Sequence, residues 1–174
     1  MKSIQFRKCT IEDLSILSTL AKETFVAAFG TQNTKEDMDA YVLDAFTLEK
    51  VKAELTNPYS IFYFVQEEQK IIGYLKLNIE TAQSEPIDNG LEVERIYLLA
   101  AYQGKGIGQL MMDKVFEVAK NLNKMRLWLG VWGKNYGAVR FYERNGFKKF
   151  AEHDFYLGKD LQTDWLMDIS LQHA

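Results

Sequence analysis

Leu91 to Leu122, LEVERIYLLAAYQGKGIGQLMMDKVFEVAKNL, holds a strand, a glycine loop and a helix in that order. Leu91 to Leu99 is rich in β-formers and reads as a buried strand. From Gly106 on, Ile107, Met111, Val115, Val118 and Leu122 fall on one helical stripe, with Gln109, Asp113, Glu117, Lys120 and Asn121 elsewhere. Gln103-Gly104-Lys105-Gly106-Ile107-Gly108 lies between the two. Alternate glycines let the backbone turn tightly and a ligand approach closely. The first N–H groups of a helix lack internal partners and sit at the positive end of its dipole. A phosphate or pyrophosphate suits that helix mouth. A strand-to-helix turn that needs glycine only for its shape fits the same residues. No Ser or Thr follows a Gly-Lys pair, as a Walker A loop requires, and the spacing is not G-x-G-x-x-G.

Gln103-x-x-Gly106-x-Gly108 after a strand resembles the acetyl-CoA loop of the GNAT superfamily of N-acetyltransferases, Q/R-x-x-G-x-G/A. Asn135-Tyr136-Gly137-Ala138-Val139-Arg140-Phe141-Tyr142, ending Asn145-Gly146-Phe147, resembles the family's N-x-x-A-x-x-F-Y-x-x-x-G-F. The resemblance runs from Phe6 to Leu171. At closer range the chain is similar to PaiA-type spermidine/spermine acetyltransferases, through Ala82 to Glu85, Glu94 to Tyr97, Trp128 to Trp132 and Gln162 to Asp164.

A chain of 174 residues is one ordinary domain, read here as residues 1–174, with length enough for a real core. Its 47% hydrophobic and 26% charged residues are typical of a soluble globular protein. A net charge of −3 argues against a nucleic-acid partner. The one cysteine, Cys9, cannot form an internal disulfide and reads as a small buried residue, which fits a cytoplasmic location. Met1 to Arg7 has no long apolar run, so no signal peptide is expected, and no run suits a membrane span. His153 and His173 form no ligand cluster, so no metal is expected.

The rest of the chain fills in a mixed α/β fold. Ile4 to Lys8 alternates as a short first strand. Thr10 with Asp13 forms a capping-box signal, and Leu14, Leu17, Ala21, Phe25 and Ala28 mark a helix ended by Gly30. Thr34 with Asp37, and then Thr47, open two further helices before Asn57-Pro58; Phe25, Phe29 and Tyr41 read as core. Ser60 to Gln66 and Ile71 to Ile79 form a hairpin, and Gln83 to Gly90 a loop. Met125 to Trp132 is a strand, Asn135 caps a helix, and Gly146 follows its end. Phe147 to Leu157 and Thr163 to Leu171 close the chain as antiparallel strands. The sum, which the resemblance also implies, is a mixed, largely antiparallel sheet flanked by helices, with splayed central strands.

The resemblance implies acetyl-CoA as co-substrate, without a covalent enzyme intermediate. It places backbone groups of Ile96, Tyr97 and Leu98 on the pantetheine arm, with a strand N–H near Leu98 as oxyanion donor. The loop from Gln103 through Gly104, Lys105, Gly106, Ile107 and Gly108 to Gln109 would hold the pyrophosphate, and Asn135, Tyr142 and Arg144 would complete the cofactor side. Tyr142 is the expected acid: a phenol near ~10 stays protonated at neutral pH and can protonate a departing thiolate. Packing of Phe141-Tyr142 on the sheet is the plainer alternative. Glu94, or Glu92 two residues earlier on the same strand face, is the expected base. One of that pair has a structural alternative, an ion pair with Arg95 or Arg126. Some relatives place the base on the following strand, at the position of Gly130, where glycine cannot act.

Glu80, Glu85, Asp88, Glu92 and Glu94 precede Arg95 with no Lys or Arg among them, and Glu36, Asp37, Asp39 and Asp44 stand against Lys35. An acidic mouth would attract a polycation; a solvated acidic face reads the same way. With the resemblance, spermidine or spermine is the leading acceptor. Another small-molecule amine, a peptide N-terminus, or a non-catalytic CoA-sensing role are the alternatives. The sequence leaves the oligomeric state open, a homodimer included.

Overall fold

The computed structural model describes residues 3–171. Seven strands, β1 (Ile4–Lys8), β2 (Ser60–Glu67), β3 (Lys70–Ile79), β4 (Gly90–Leu98), β5 (Arg126–Trp132), β6 (Lys148–Leu157) and β7 (Asp160–Ser170), form one sheet. Its order is β1-β2-β3-β4-β5-β7-β6. Only β4 and β5 run parallel; every other neighbouring pair is antiparallel. The helices are α1 (Leu14–Phe29), α2 (Lys35–Ala45), α3 (Leu48–Thr56), α4 (Ile107–Asn121) and α5 (Tyr136–Arg144). This is the mixed, largely antiparallel arrangement that the sequence predicts.

Strand alternation supplies two cores, one per face. On one face Leu75, Leu77, Leu91, Val93, Leu127 and Leu129 meet Met111, Met112 and Val115 of α4 and Val139 and Tyr142 of α5. On the other, Phe62, Phe64 and Tyr74 meet Leu17 and Phe25 of α1, Met38 of α2 and Val51 of α3. Phe25 stacks on Tyr41 at 4.7 Å and touches Phe29 at the same distance, so these aromatics are core. Burial pushes the Cys9 thiol up to about 12, which leaves it an inert core residue.

Three end-of-helix readings change. Ala28 is exposed, because Phe29 rather than Ala28 continues the packed face of α1. Gly30 has φ −63°, so it is no left-handed cap; Asn33 Nδ2 instead donates to the Phe29 carbonyl at 2.9 Å. Leu122 lies past the last turn of α4 and is largely exposed, while Met112 and Ala119 widen the buried stripe.

The caps behave as their chemistry requires. Thr34 Oγ1 accepts from Asp37 N–H and Thr47 Oγ1 from Lys50 N–H, each at 3.2 Å. Asp13 accepts from Thr10 N–H at 2.8 Å and from both Arg7 amines at 2.9 and 2.8 Å. The Arg7 hydrogen bonds, with that of Thr10 and against the opposing effect of burial, hold the Asp13 carboxyl below its usual range. Its folded value thus lies under the unfolded value of ~3.9, so its stabilisation is present above that pH and lost as pH falls. Asp13→Asn is expected to cost about 1–2 kcal/mol at pH 7, with the gap to wild type closing as the pH drops below about 4. Urea midpoints at several pH values check this; equal midpoints at pH 7 would leave the pair without effect.

Candidate active site

β4 and β5 pair only over Gly90–Arg126, Leu91–Leu127 and Glu92–Trp128. Beyond that point β4 stays with β3 as far as Leu98, opposite Gly73, and β5 stays with β7 as far as Trp132, opposite Asp164. The middle of the sheet therefore opens between them. β4 also carries a bulge: Lys76 opposes Arg95 and Leu77 opposes Val93, leaving Glu94 without a partner. A bulge bends and twists its strand, which helps the two strands part. It also resets the alternation. Leu91 and Val93 face α4, and so do Ile96 and Leu98, whereas Tyr97 and Leu99 face the other core.

A cleft of about 360 Å³ occupies the opening on the α4 and α5 side. Ile96 and Leu98 form one wall, Gln103, Gly104 and Gly108 the loop end, and Met111, Gly137, Ala138, Phe141 and Tyr142 the rest. Gly104 and Gly106 have φ of +72° and +78°, a region that favours glycine, and a Cβ on either would meet nothing within 4 Å. Among the described residues, the N–H groups of Lys105, Gly106, Ile107 and Gly108 donate to no protein acceptor. The loop is thus a backbone cradle at the mouth of α4, with the donor set that a pyrophosphate requires. The parted edge of β4 can pair with an extended amide-bearing chain such as pantetheine.

The remaining expected cofactor residues have other tasks for their side chains. Gln103 Nε2 donates to the Leu98 carbonyl at 3.2 Å. Gln109 Nε2 reaches Asp113 at 3.0 Å and Asn145 at 2.8 Å, tying α4 to the end of α5. Lys105 lies over the Tyr102 ring at 5.2 Å. Ile107 is core, Asn135 Oδ1 caps α5 by accepting from Ala138 N–H at 3.2 Å, and Arg144 is exposed in the last turn of α5. The Tyr97 side chain lies on the opposite face, 6.0 Å from Tyr74, so only its backbone is at the parted edge. Met111, Gly137, Ala138 and Phe141 join the lining; the helical stripe and the Asn135 block named them, but only as core or motif positions.

Tyr142 is buried on the wall of the cleft, its ring edge-on to Phe141 at 5.4 Å and Phe147 at 5.9 Å. Burial raises its phenol well above the ordinary value, so it is protonated at any working pH.

The two glutamates lie on the other face and differ from one another. Glu92 is 3% exposed and accepts from Ser84 N–H at 2.9 Å, from Ser84 Oγ, and from Asn78 Nδ2 at 3.0 Å. Burial raises its carboxyl against those hydrogen bonds. Glu94 pairs with Lys76 at 2.6 Å and Arg95 at 3.3 Å, and both cations also pair with Glu54 of α3, at 3.0 and 2.9 Å. Burial acts to raise Glu94, but the Arg95 and Lys76 charges outweigh it and hold it low. Because of the bulge, Arg95 shares the face of Glu94, as strict alternation would forbid.

Part of the acidic mouth read from the sequence is taken up by partners. Glu80 pairs with Lys124, Glu85 with His153, and Asp44 with Lys50. Asp37 accepts from Lys159 N–H, and Glu36 lies 3.8 Å from Lys159 Nζ. Cations distant in sequence fold onto these acids, so a run without Lys or Arg is no measure of local potential. Among the described residues, no group of three or more His, Cys, Asp or Glu could hold a metal, and no helix is long and apolar enough to cross a membrane. His173 lies outside the described residues.

A seven-stranded sheet parted in the middle, with a glycine cradle opening a helix beside the gap, is the architecture of an acyl-transfer enzyme of the GNAT kind. The profile of the Acetyltransferase (GNAT) family matches residues 19–147, and the chain belongs to that family as an N-acetyltransferase. An uncharacterized N-acetyltransferase of Lactobacillus delbrueckii subsp. lactis is 38% identical over 98% of this chain and 99% of its own length. A spermidine N(1)-acetyltransferase of Thermoplasma acidophilum is 27% identical over 84% of this chain and 89% of its own. The crystal structure of the PaiA N-acetyltransferase of that organism in complex with coenzyme A superposes with a TM-score of 0.77 at 25% identity. It covers 97% of this chain and 99% of that one. The family's acyl donor is acetyl-CoA, and its typical acceptor is an amine.

Proposed function

We propose that the protein transfers the acetyl group of acetyl-CoA directly to a primary amine of a polyamine, spermidine or spermine. The observation that carries the acceptor is the similarity, along most of both chains, to a spermidine N(1)-acetyltransferase. A spermine/spermidine N(1)-acetyltransferase of Bacillus subtilis is similar over a shorter stretch, 29% identical over 56% of this chain.

In this reading acetyl-CoA supplies an activated acetyl group as a thioester. The amides of Lys105 to Gly108, without a protein acceptor among the described residues, hold its pyrophosphate, with Gln103 lining the loop end of the cleft; the Gln109 N–H is already bonded to the Gly106 carbonyl. The parted edge of β4, from Ile96 through Tyr97 to Leu98, aligns the pantetheine, and the Leu98 N–H faces the charge that develops on the carbonyl oxygen. Tyr142 donates its proton to the departing sulfur. Glu94 is committed to Lys76 and Arg95, and Glu92 is sealed by Ser84 and Asn78, so both serve to fix the strand rather than to take a proton.

The test is a turnover screen of amines with acetyl-CoA, reading thiol release. Spermidine and spermine are expected to exceed monoamines of similar length in kcat/KM by about tenfold or more, and added salt should raise their KM. A higher kcat/KM for a monoamine or a peptide N-terminus overturns the polyamine assignment.

A further inference from the structure

We propose that Asp164 is the carboxylate that receives the acceptor's ammonium group, at the mouth of the opening between β4 and β5 and on the face opposite the cleft. The inference rests on the amine-acceptor reading above and refines it.

Leu127, Leu129 and Val131 point into the α4-side core, so Trp128, Gly130 and Trp132 face the other way. Asp164 sits opposite Trp132 in the β5–β7 register and shares that face. Gly130 is exposed although it lies on an interior strand of the sheet. A Cβ added there would meet only Asp164 Oδ2 and a Leu166 methyl, each at 3.7 Å, so open space lies over β5 just where it has parted from β4. Asp164 is half-buried and, among the described residues, its side chain has no hydrogen-bond or ion-pair partner. Glu54, Glu92 and Glu94, the acids nearest the opening on β4 and α3, are all taken up by partners. His153, opposite Asp164 in the β6–β7 register, has its Nδ1 2.8 Å from Glu85 Oε1.

A half-buried carboxylate without a partner costs stability, and a cationic guest offsets that cost. The proton count closes with this placement. The ammonium gives one proton to Asp164, and the freed lone pair forms the C–N bond as the C–S bond breaks. Tyr142 protonates the sulfur and regains a proton from the acylated nitrogen; Asp164 releases its proton to solvent.

Two variants of the full chain test this. Asp164→Asn should lower kcat/KM for the best amine about 10- to 100-fold, through KM, which loses a hydrogen bond to a charged group, and through kcat, which loses the proton acceptor. Gly130→Lys, which sets an ammonium against an intact Asp164, should suppress amine turnover as strongly. The acetyl-CoA dissociation constant should stay at the wild-type value in both, and the melting temperature of Asp164→Asn should match or exceed that of the wild type. Should Asp164→Asn melt lower, Gly130→Lys decides. Wild-type kcat/KM in either correctly folded variant overturns the proposal. A peptide N-terminus as the best wild-type acceptor would defeat the polyamine reading alone, since both variants are then read on that amine.

Discussion

Tyr142→Phe is expected to lower turnover by about 10² to 10⁴, the range for losing a general acid. The fold and the acetyl-CoA dissociation constant should barely move. The ring keeps its edge-on contacts to Phe141 and Phe147, and only the phenol oxygen on the cleft wall is lost. The kinetic signature is a fall in kcat without a matching change in cofactor affinity. An acyl-CoA analogue with a more acidic thiol should suffer less, because its departure depends less on protonation. Full turnover where chemistry limits the rate would make Tyr142 a packing residue, and the thiolate would then draw its proton from water or from the amine.

Lys76→Met should be the most damaging change to the fold, costing about 3 kcal/mol or more in urea unfolding. Lys76 is 4% exposed and lies between Glu54 and Glu94, with Arg95 as the second cation of a neutral group of four. Methionine fills nearly the same volume but leaves two carboxylates to one guanidinium. The side chains of Glu54 and Glu94 remain about a quarter exposed, which holds the cost near the lower end of the range for breaking a buried pair. Adding Glu54→Gln restores the charge balance and should recover part of the loss. Additive losses in the double variant would show that Lys76 acts through contacts other than Glu54, among them its ammonium over the Phe62 ring 5.7 Å away.

Most of the fold was legible because its signals are local. The caps at Thr10, Thr34, Thr47 and Asn135, the hairpin at Glu68-Gln69, and the left-handed Gly146 at +91° each follow from a few adjacent residues. The glycine cradle was legible for the same reason. What stayed hidden depends on partners far away in the chain. The ion pairs of Glu94 could not be read from its neighbours, because Glu54, 40 residues earlier, joins it around shared cations. Glu80 looks bare until Lys124, 44 residues on, folds onto it. Asp164 stood in the sequence only as part of the Gln162 to Asp164 resemblance, with no role attached, and the β5–β7 register is what brings it over Gly130.

The unpaired Glu94 on β4 works as a phase shift in an otherwise binary strand. The apolar residues that face α4 are Leu91, Val93, Ile96 and Leu98, spaced by two, three and two. A strand in constant phase would point Tyr97 rather than Ile96 toward the cleft, and Leu99 rather than Leu98. The single out-of-step residue thus lets one strand be core above the parting and ligand wall below it. Pairing Glu94 in regular register would turn the lower half of β4 over, sending Ile96 and Leu98 toward Tyr74 and bringing bulkier Tyr97 into the cleft. Deleting Glu94 would instead remove the bulge and leave Ile96 and Leu98 facing the cleft on a strand that alternates regularly after Val93. A two-three-two interval among apolar residues, just before a glycine loop, is therefore a mark by which such a parted strand can be found in a bare sequence.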